Sequence, residues 1–123
     1  MINPQALLTD LCEAYNRRDW PDFAARLHPD VDWPDQTGHG RLIGHGALRE
    51  YWDRNDTVIT VEVTPLTFTT LADGRVRVDV NQVVRSTTGA LWSDIQVRHF
   101  YTLQNGLVSR MDVTPFDEAD LAP

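Results

Sequence analysis

The chain has 123 residues, with 11 basic and 18 acidic side chains, and its formal net charge of −7 repels phosphate backbones and anionic lipid surfaces, which argues against nucleic acid and membranes as partners. No apolar run approaches the roughly 18 residues of a membrane span, and the start lacks the basic-then-apolar pattern of a secretory leader, so the cytoplasm is the expected location. One cysteine, Cys12, permits neither an internal disulfide nor a thiolate metal cluster, and a chain of this length is expected to fold around one core as a single domain over residues 1–123.

In chain order, Asn3 is placed to cap a first helix with Pro4 in its first turn, and Leu7, Leu11 and Tyr15 recur every four residues with Leu8 and Cys12 beside them. Asp19 caps a second, short helix with Trp20, Phe23, Ala24 and Leu27 on its apolar side, and Pro29 is expected to end it. The chain then extends: Val31 and Trp33 alternate with Asp30 and Asp32, until Pro34 and a loop containing Gly38 and Gly40 break the pattern. Gly44 opens a third helix with Leu48, Tyr51 and Trp52 on one side.

From Thr57 onward the period changes to two. Ile59, Val61 and Val63 share one parity and Leu66 and Phe68 take the other, a slip at Pro65 that reads as a bulge in a bent strand. Asp73-Gly74, Thr88-Gly89 and Asn105-Gly106 mark tight turns. Between them Val76, Val78, Val80 and Val84 form one face, and Leu91, Ile95, Val97, His99, Tyr101 and Leu103 another, opposite Trp92 and Phe100. A strand over 107–116 closes the pattern, and the acidic residues 117–123 read as a flexible solvated tail. Helices first and an antiparallel meander afterwards make the fold class α+β, the helices covering one face of a curved sheet.

This order of elements resembles the nuclear transport factor 2-like superfamily, in its SnoaL-like and ketosteroid isomerase-like branch. The resemblance is carried by Asn16 and Asp19 at the end of the first helix, His28-Pro29-Asp30-Val31, Gly44 with Ala47-Leu48, and His99-Phe100-Tyr101 leading into Asn105-Gly106. It implies a cone-shaped, cystatin-like roll whose curved antiparallel sheet wraps the N-terminal helices around an apolar cavity, usually in a homodimer. It also implies that Asp35 occupies the place of the isomerases' general base and His99 that of their protonated aspartic acid, which donates to the developing enolate. Two positions depart from the family. Leu11 replaces the tyrosine that donates to the oxyanion, and Val113 replaces the aspartate that cyclases and epoxide hydrolases carry on the last strand, while the neighbouring Asp112 should face the other way.

Asp35 and His99 are therefore the candidate catalytic pair, an acid-base couple that moves a proton between two substrate atoms. Tyr15, Trp33, Tyr51, Trp52, Phe68, Tyr101, Met111 and Val113 are the candidate ligand-binding wall, several of them also core residues. His28, His39 and His45 match no metal-binding spacing, so neither a metal nor a cofactor is expected. The leading reading is a pocket protein acting by proton transfer on a small apolar carbonyl compound, as an isomerase, dehydratase or cyclase would. Two alternatives stand beside it: a non-catalytic ligand-binding or dimerisation module, and an epoxide or lactone hydrolase in which Asp35 positions a water. A homodimer is expected to form on the sheet face carrying Trp92 and Phe100.

Overall fold

The computed structural model describes residues 3–35 and 40–115, so Gly38, His39, Phe116 and the tail 117–123 lie outside the described residues. Helix α1 spans Pro4–Asn16, α2 Trp20–Ala24 and α3 Gly44–Asp56; the strands are β1 Leu27–Pro34, β2 Arg41–Ile43, β3 Ile59–Thr70, β4 Val76–Ser86, β5 Leu91–Gln104 and β6 Leu107–Pro115. They form one six-stranded curved sheet in the order β2-β1-β6-β5-β4-β3. None of the described helices is long and apolar enough to cross a membrane.

Both early caps form as the sequence suggests. The Asn3 side-chain oxygen accepts from the Gln5 and Ala6 amides, and that of Asp19 accepts from Asp22 N–H. The second helix, however, closes at Ala24, before Pro29, which lies inside β1. That strand pairs in parallel with β6 at Leu27–Val108 and Asp32–Arg110 with a register shift between them. Pro29 has no amide to donate and falls in this irregular stretch. The β1–β6 pair is also the parallel exception in a sheet whose other pairings are antiparallel.

Gly44 starts α3 at φ +85°, a left-handed backbone turn that a side chain would strain, and no side chain caps that end. The slip at Pro65 is a bulge: the β3–β4 register shifts between Pro65 and Thr67. Asn105 and Gly106 both have positive φ, at 53° and 77°, which matches the twist of a two-residue hairpin.

Val31, Trp33, Val76, Val78, Val80, Val97, Tyr101, Val108 and Met111 meet Leu8, Leu11, Cys12, Phe23, Leu48 and Trp52 in one core between helices and sheet. Over β1, β2 and β6 the opposite sheet face is polar. Arg41 reaches Asp32, Asp112 and the Met111 carbonyl, and Arg110 joins the same two aspartates, tying β2, β1 and β6 together. Asp112 thus faces away from the cavity, as its parity requires. Leu91 and Ile95 share the expected parity of His99, yet they are 55% and 50% exposed. Strand β5 has a register shift against β4 near Val84–Arg85, and its first residues are mostly exposed.

On the edge strand β3, Val63 is tied to the end of α1 by two bonds. The Asn16 amide nitrogen donates to Val63 O at 2.8 Å, and Val63 N–H donates to Asn16 Oδ1 at 2.9 Å. This fixes the height at which α1 lies over the sheet, and with it the space between them.

Candidate functional site

That space is a cavity of about 230 Å3. Helix α1 contributes Leu11, Cys12 and Tyr15 from one stripe, and α3 contributes Leu48, Tyr51 and Trp52. Phe23 and Trp33 close one side, Ile59, Val61, Val63 and Val84 come from the sheet edge, and His99, Tyr101 and Met111 form the floor. Phe23 is the hub of the aromatic wall, with its ring centroid 5.0 Å from that of Trp52, 5.7 Å from Trp33 and 5.8 Å from both Tyr15 and Trp20.

Polar groups sit at two ends of this apolar space. The inner group is a buried chain. His99 and Tyr101 are two residues apart on β5, so both point inward, and the tyrosine hydroxyl lies 2.9 Å from His99 Nδ1. Cys12, across on α1, is hydrogen-bonded to the same hydroxyl. Burial pushes the Cys12 thiol up to about 12 and raises Tyr101 well above the ordinary phenol range, so both hold their protons at neutral pH. Burial also lowers His99 to about 4, which keeps the imidazole neutral.

In the Nε2–H tautomer of the neutral ring the Tyr101 O–H donates to Nδ1, an imidazole nitrogen being a far better acceptor than a thiol sulfur, and the remaining ring proton of His99 is then on Nε2. That nitrogen is buried and has no hydrogen-bond partner among the described residues. A buried N–H left unmade costs about 1–3 kcal/mol, a penalty that a ligand acceptor would remove.

The outer group is half-buried and consists of Arg18, Asn55, Asp56 and Gln82. Arg18 Nε lies 3.1 Å from an Asp56 carboxylate oxygen, and its guanidinium stacks 4.7 Å from the Tyr15 ring centroid.

Seven residues singled out in the sequence lie in this wall: His99, Tyr15, Trp33, Tyr51, Trp52, Tyr101 and Met111. Three do not. Phe68 follows the bulge of β3 and packs on the core opposite Val78, and Val113, paired with His99 on β6, also packs on the core. Asp35 is not brought together with His99 in the cavity wall. Strand β1 ends at Pro34, and the Asp35 amide donates to Gly40 O at 3.2 Å.

The outer group was missing from the sequence reading, although its positions continue visible patterns. Arg18 extends the Leu11–Tyr15 stripe by three residues, Asn55 and Asp56 extend Tyr51 and Trp52 by four, and Gln82 holds the inward parity of Val76, Val78 and Val80. His28 and His45 serve the backbone instead: His28 Nδ1 accepts from the Asp30 amide, and His45 Nε2 lies 3.3 and 3.2 Å from the Leu27 and His28 carbonyls.

A family model described as a SnoaL-like domain matches residues 8–111. Among solved structures, the chain is similar to an NTF2-like protein of unknown function from Burkholderia pseudomallei K96243, at 24% identity and a TM-score of 0.80, covering 98% of this chain and 95% of that one. It is also similar to TerC, crystallised with polyporic acid, at 25% identity and a TM-score of 0.77, covering 94% and 92%. A candidate polyketide cyclase from Xanthomonas campestris pv. campestris matches at 20% identity and a TM-score of 0.78, covering 95% and 92%. A comparison with curated proteins finds no match.

Proposed function

Since this chain belongs to the SnoaL-like domain family, we propose that it binds a small, largely apolar carbonyl compound between its helices and sheet and moves a proton on it without a cofactor. The observation that carries this reading is the buried His99 Nε2, which has no partner among the described residues. A carbonyl oxygen is a matching acceptor, and an enolate oxygen a better one, so this N–H binds the transition state more strongly than the ground state. Aromatic walls hold the apolar body of the ligand, and the similar candidate polyketide cyclase is consistent with a carbonyl-bearing substrate.

In this proposal Asp35, which lies outside the cavity wall just past the end of β1, is the base, and it serves only a ligand that extends beyond the Trp33 ring. The α-protons of 2-tetralone provide the test. In D2O the protein should speed their exchange above the buffer rate, and His99→Phe should slow it by about 100-fold or more. Asp35→Asn should abolish exchange while 2-tetralone still moves the His99 ring resonances. Saturable binding with no exchange in the wild-type protein would instead make the chain a non-catalytic binding module, and exchange undiminished in Asp35→Asn would remove that residue from the mechanism.

We also infer that two copies pair through the sheet face bearing Trp92, which is 59% exposed on β5. Phe100 contributes less, being half-buried with the Arg75 guanidinium 5.3 Å above its ring. Light scattering at micromolar concentration should give twice the chain mass, and Trp92→Glu should give folded monomers. A wild-type mass of one chain that persists on concentration would disprove the pairing.

A further inference from the structure

Arg18 is the one lysine or arginine among the described residues lining the cavity. Its backbone is left-handed, with φ 57°, just beyond the end of α1, where Arg18 N–H donates to Tyr15 O and Asp19 N–H donates to Ala14 O. Glycine is the usual occupant of such a position because it adopts this conformation without strain. Here an arginine is held in it, and its guanidinium lies over two rings of the cavity wall, 4.7 Å from the Tyr15 centroid and 5.3 Å from that of Trp52. Asp56 engages Nε and the Tyr15 carbonyl engages Nη1, at 3.5 Å. No hydrogen bond among the described residues uses Nη2. A strained backbone that aims a fixed cation at an apolar cavity is a common mark of a recognition point.

We propose that Arg18 is a carboxylate subsite, and that the ligand of this cavity is a small cyclic or aromatic keto acid whose carbonyl meets His99 and whose carboxylate meets Arg18. The ketone end of this assignment rests on the reading of the cavity given above. Asp56 neutralises part of the arginine's charge and the whole chain is anionic, so the contribution is local hydrogen bonding more than long-range attraction. The expected preference for an acid over its ester is accordingly modest, about tenfold.

The test is an NMR titration with 4-acetylbenzoate and with methyl 4-acetylbenzoate, on the wild-type protein and on Arg18→Gly. The glycine suits the left-handed backbone, so the variant should stay folded. The acid should bind the wild-type protein about tenfold tighter than the ester and shift the Arg18 Nε–H resonance, and Arg18→Gly should bind both equally. Both ligands should move the His99 ring resonances in both proteins. Equal binding of acid and ester by the wild-type protein, or a preference that survives Arg18→Gly, overturns the subsite. Binding of the acid at Arg18 without any movement of His99 supports the subsite and overturns the ketone reading, and absence of binding by either ligand overturns both. Should Arg18→Gly fail to fold, the wild-type comparison of acid with ester still decides the matter.

Discussion

Acidification from pH 6.5 to pH 4 is expected to lower the stability of the fold by about 3 kcal/mol, mainly through one side chain. Burial depresses His99 from 6.5 to about 4. Between these values the unfolded chain binds a proton that the folded chain does not, so the unfolded state gains on acidification and stability rises with pH across this window. Above pH 6.5 the His99 contribution is constant. The groups it touches do not titrate here, because the Tyr101 and Cys12 protons leave only at alkaline pH. Asp79, which against its burial the Thr67 hydroxyl and Arg98 hold below the usual carboxylate range, and Asp112, which Arg110 holds there, change stability in the same direction but at lower pH. Urea unfolding at intervals from pH 4 to pH 7.5 should show the slope in the wild-type protein and a largely flat profile in His99→Phe. An equal slope in both would mean that His99 accepts its proton in the folded state, and the neutral N–H donor would have to be given up.

Phe23→Ala is expected to cost about 4 kcal/mol, which for a chain of this size is a fall in Tm of roughly 10–20 °C. The ring is almost wholly buried and lies against Tyr15, Trp20, Trp33 and Trp52, and those four cannot all close on the space it leaves. Because Phe23 also lines the cavity, the same change enlarges the binding space. Thermal unfolding followed by circular dichroism measures the loss. A cost under about 1.5 kcal/mol would show that the aromatic wall collapses inward, and the enlarged variant would then bind no larger a ketone than the wild-type protein.

Features set by local chemistry were readable along the chain. Caps at Asn3 and Asp19, the glycine turns, the alternation in β4 and the bulge at Pro65 each follow from one or two residues and their neighbours. The end of α2 was not readable, because Pro29 signals a break but not that the chain has already turned at Ala25 to run beside β6. That partner lies some eighty residues away. For the site, parity placed His99 and Tyr101 inward, and helical spacing placed Tyr15, Tyr51 and Trp52. The family resemblance assigns Asp35 by its order along the chain, and order does not set the course of the backbone after Pro34. Cys12 stands beside the apolar stripe of α1 in the sequence and is buried in the structure; its bond to Tyr101 joins α1 to β5, a contact that no spacing within either element reveals. The Arg18–Asp56 pair likewise needs the ends of two helices to meet.

The link between Asn16 and Val63 has a consequence for how copies of this chain can join. Strand β3 ends the sheet, and the terminal strand of any sheet offers unpaired amides and carbonyls that recruit another chain by strand addition. The Asn16 amide takes both backbone groups of Val63, much as a one-residue strand would. Two residues on, at the next outward-facing position, Pro65 has no N–H to offer, and the bulge that follows bends the rim away from a straight partner. The middle of this rim is thereby closed to zipper-like growth. At this edge any contact between copies is left to side chains, and strand-by-strand growth along the backbone has no place to begin.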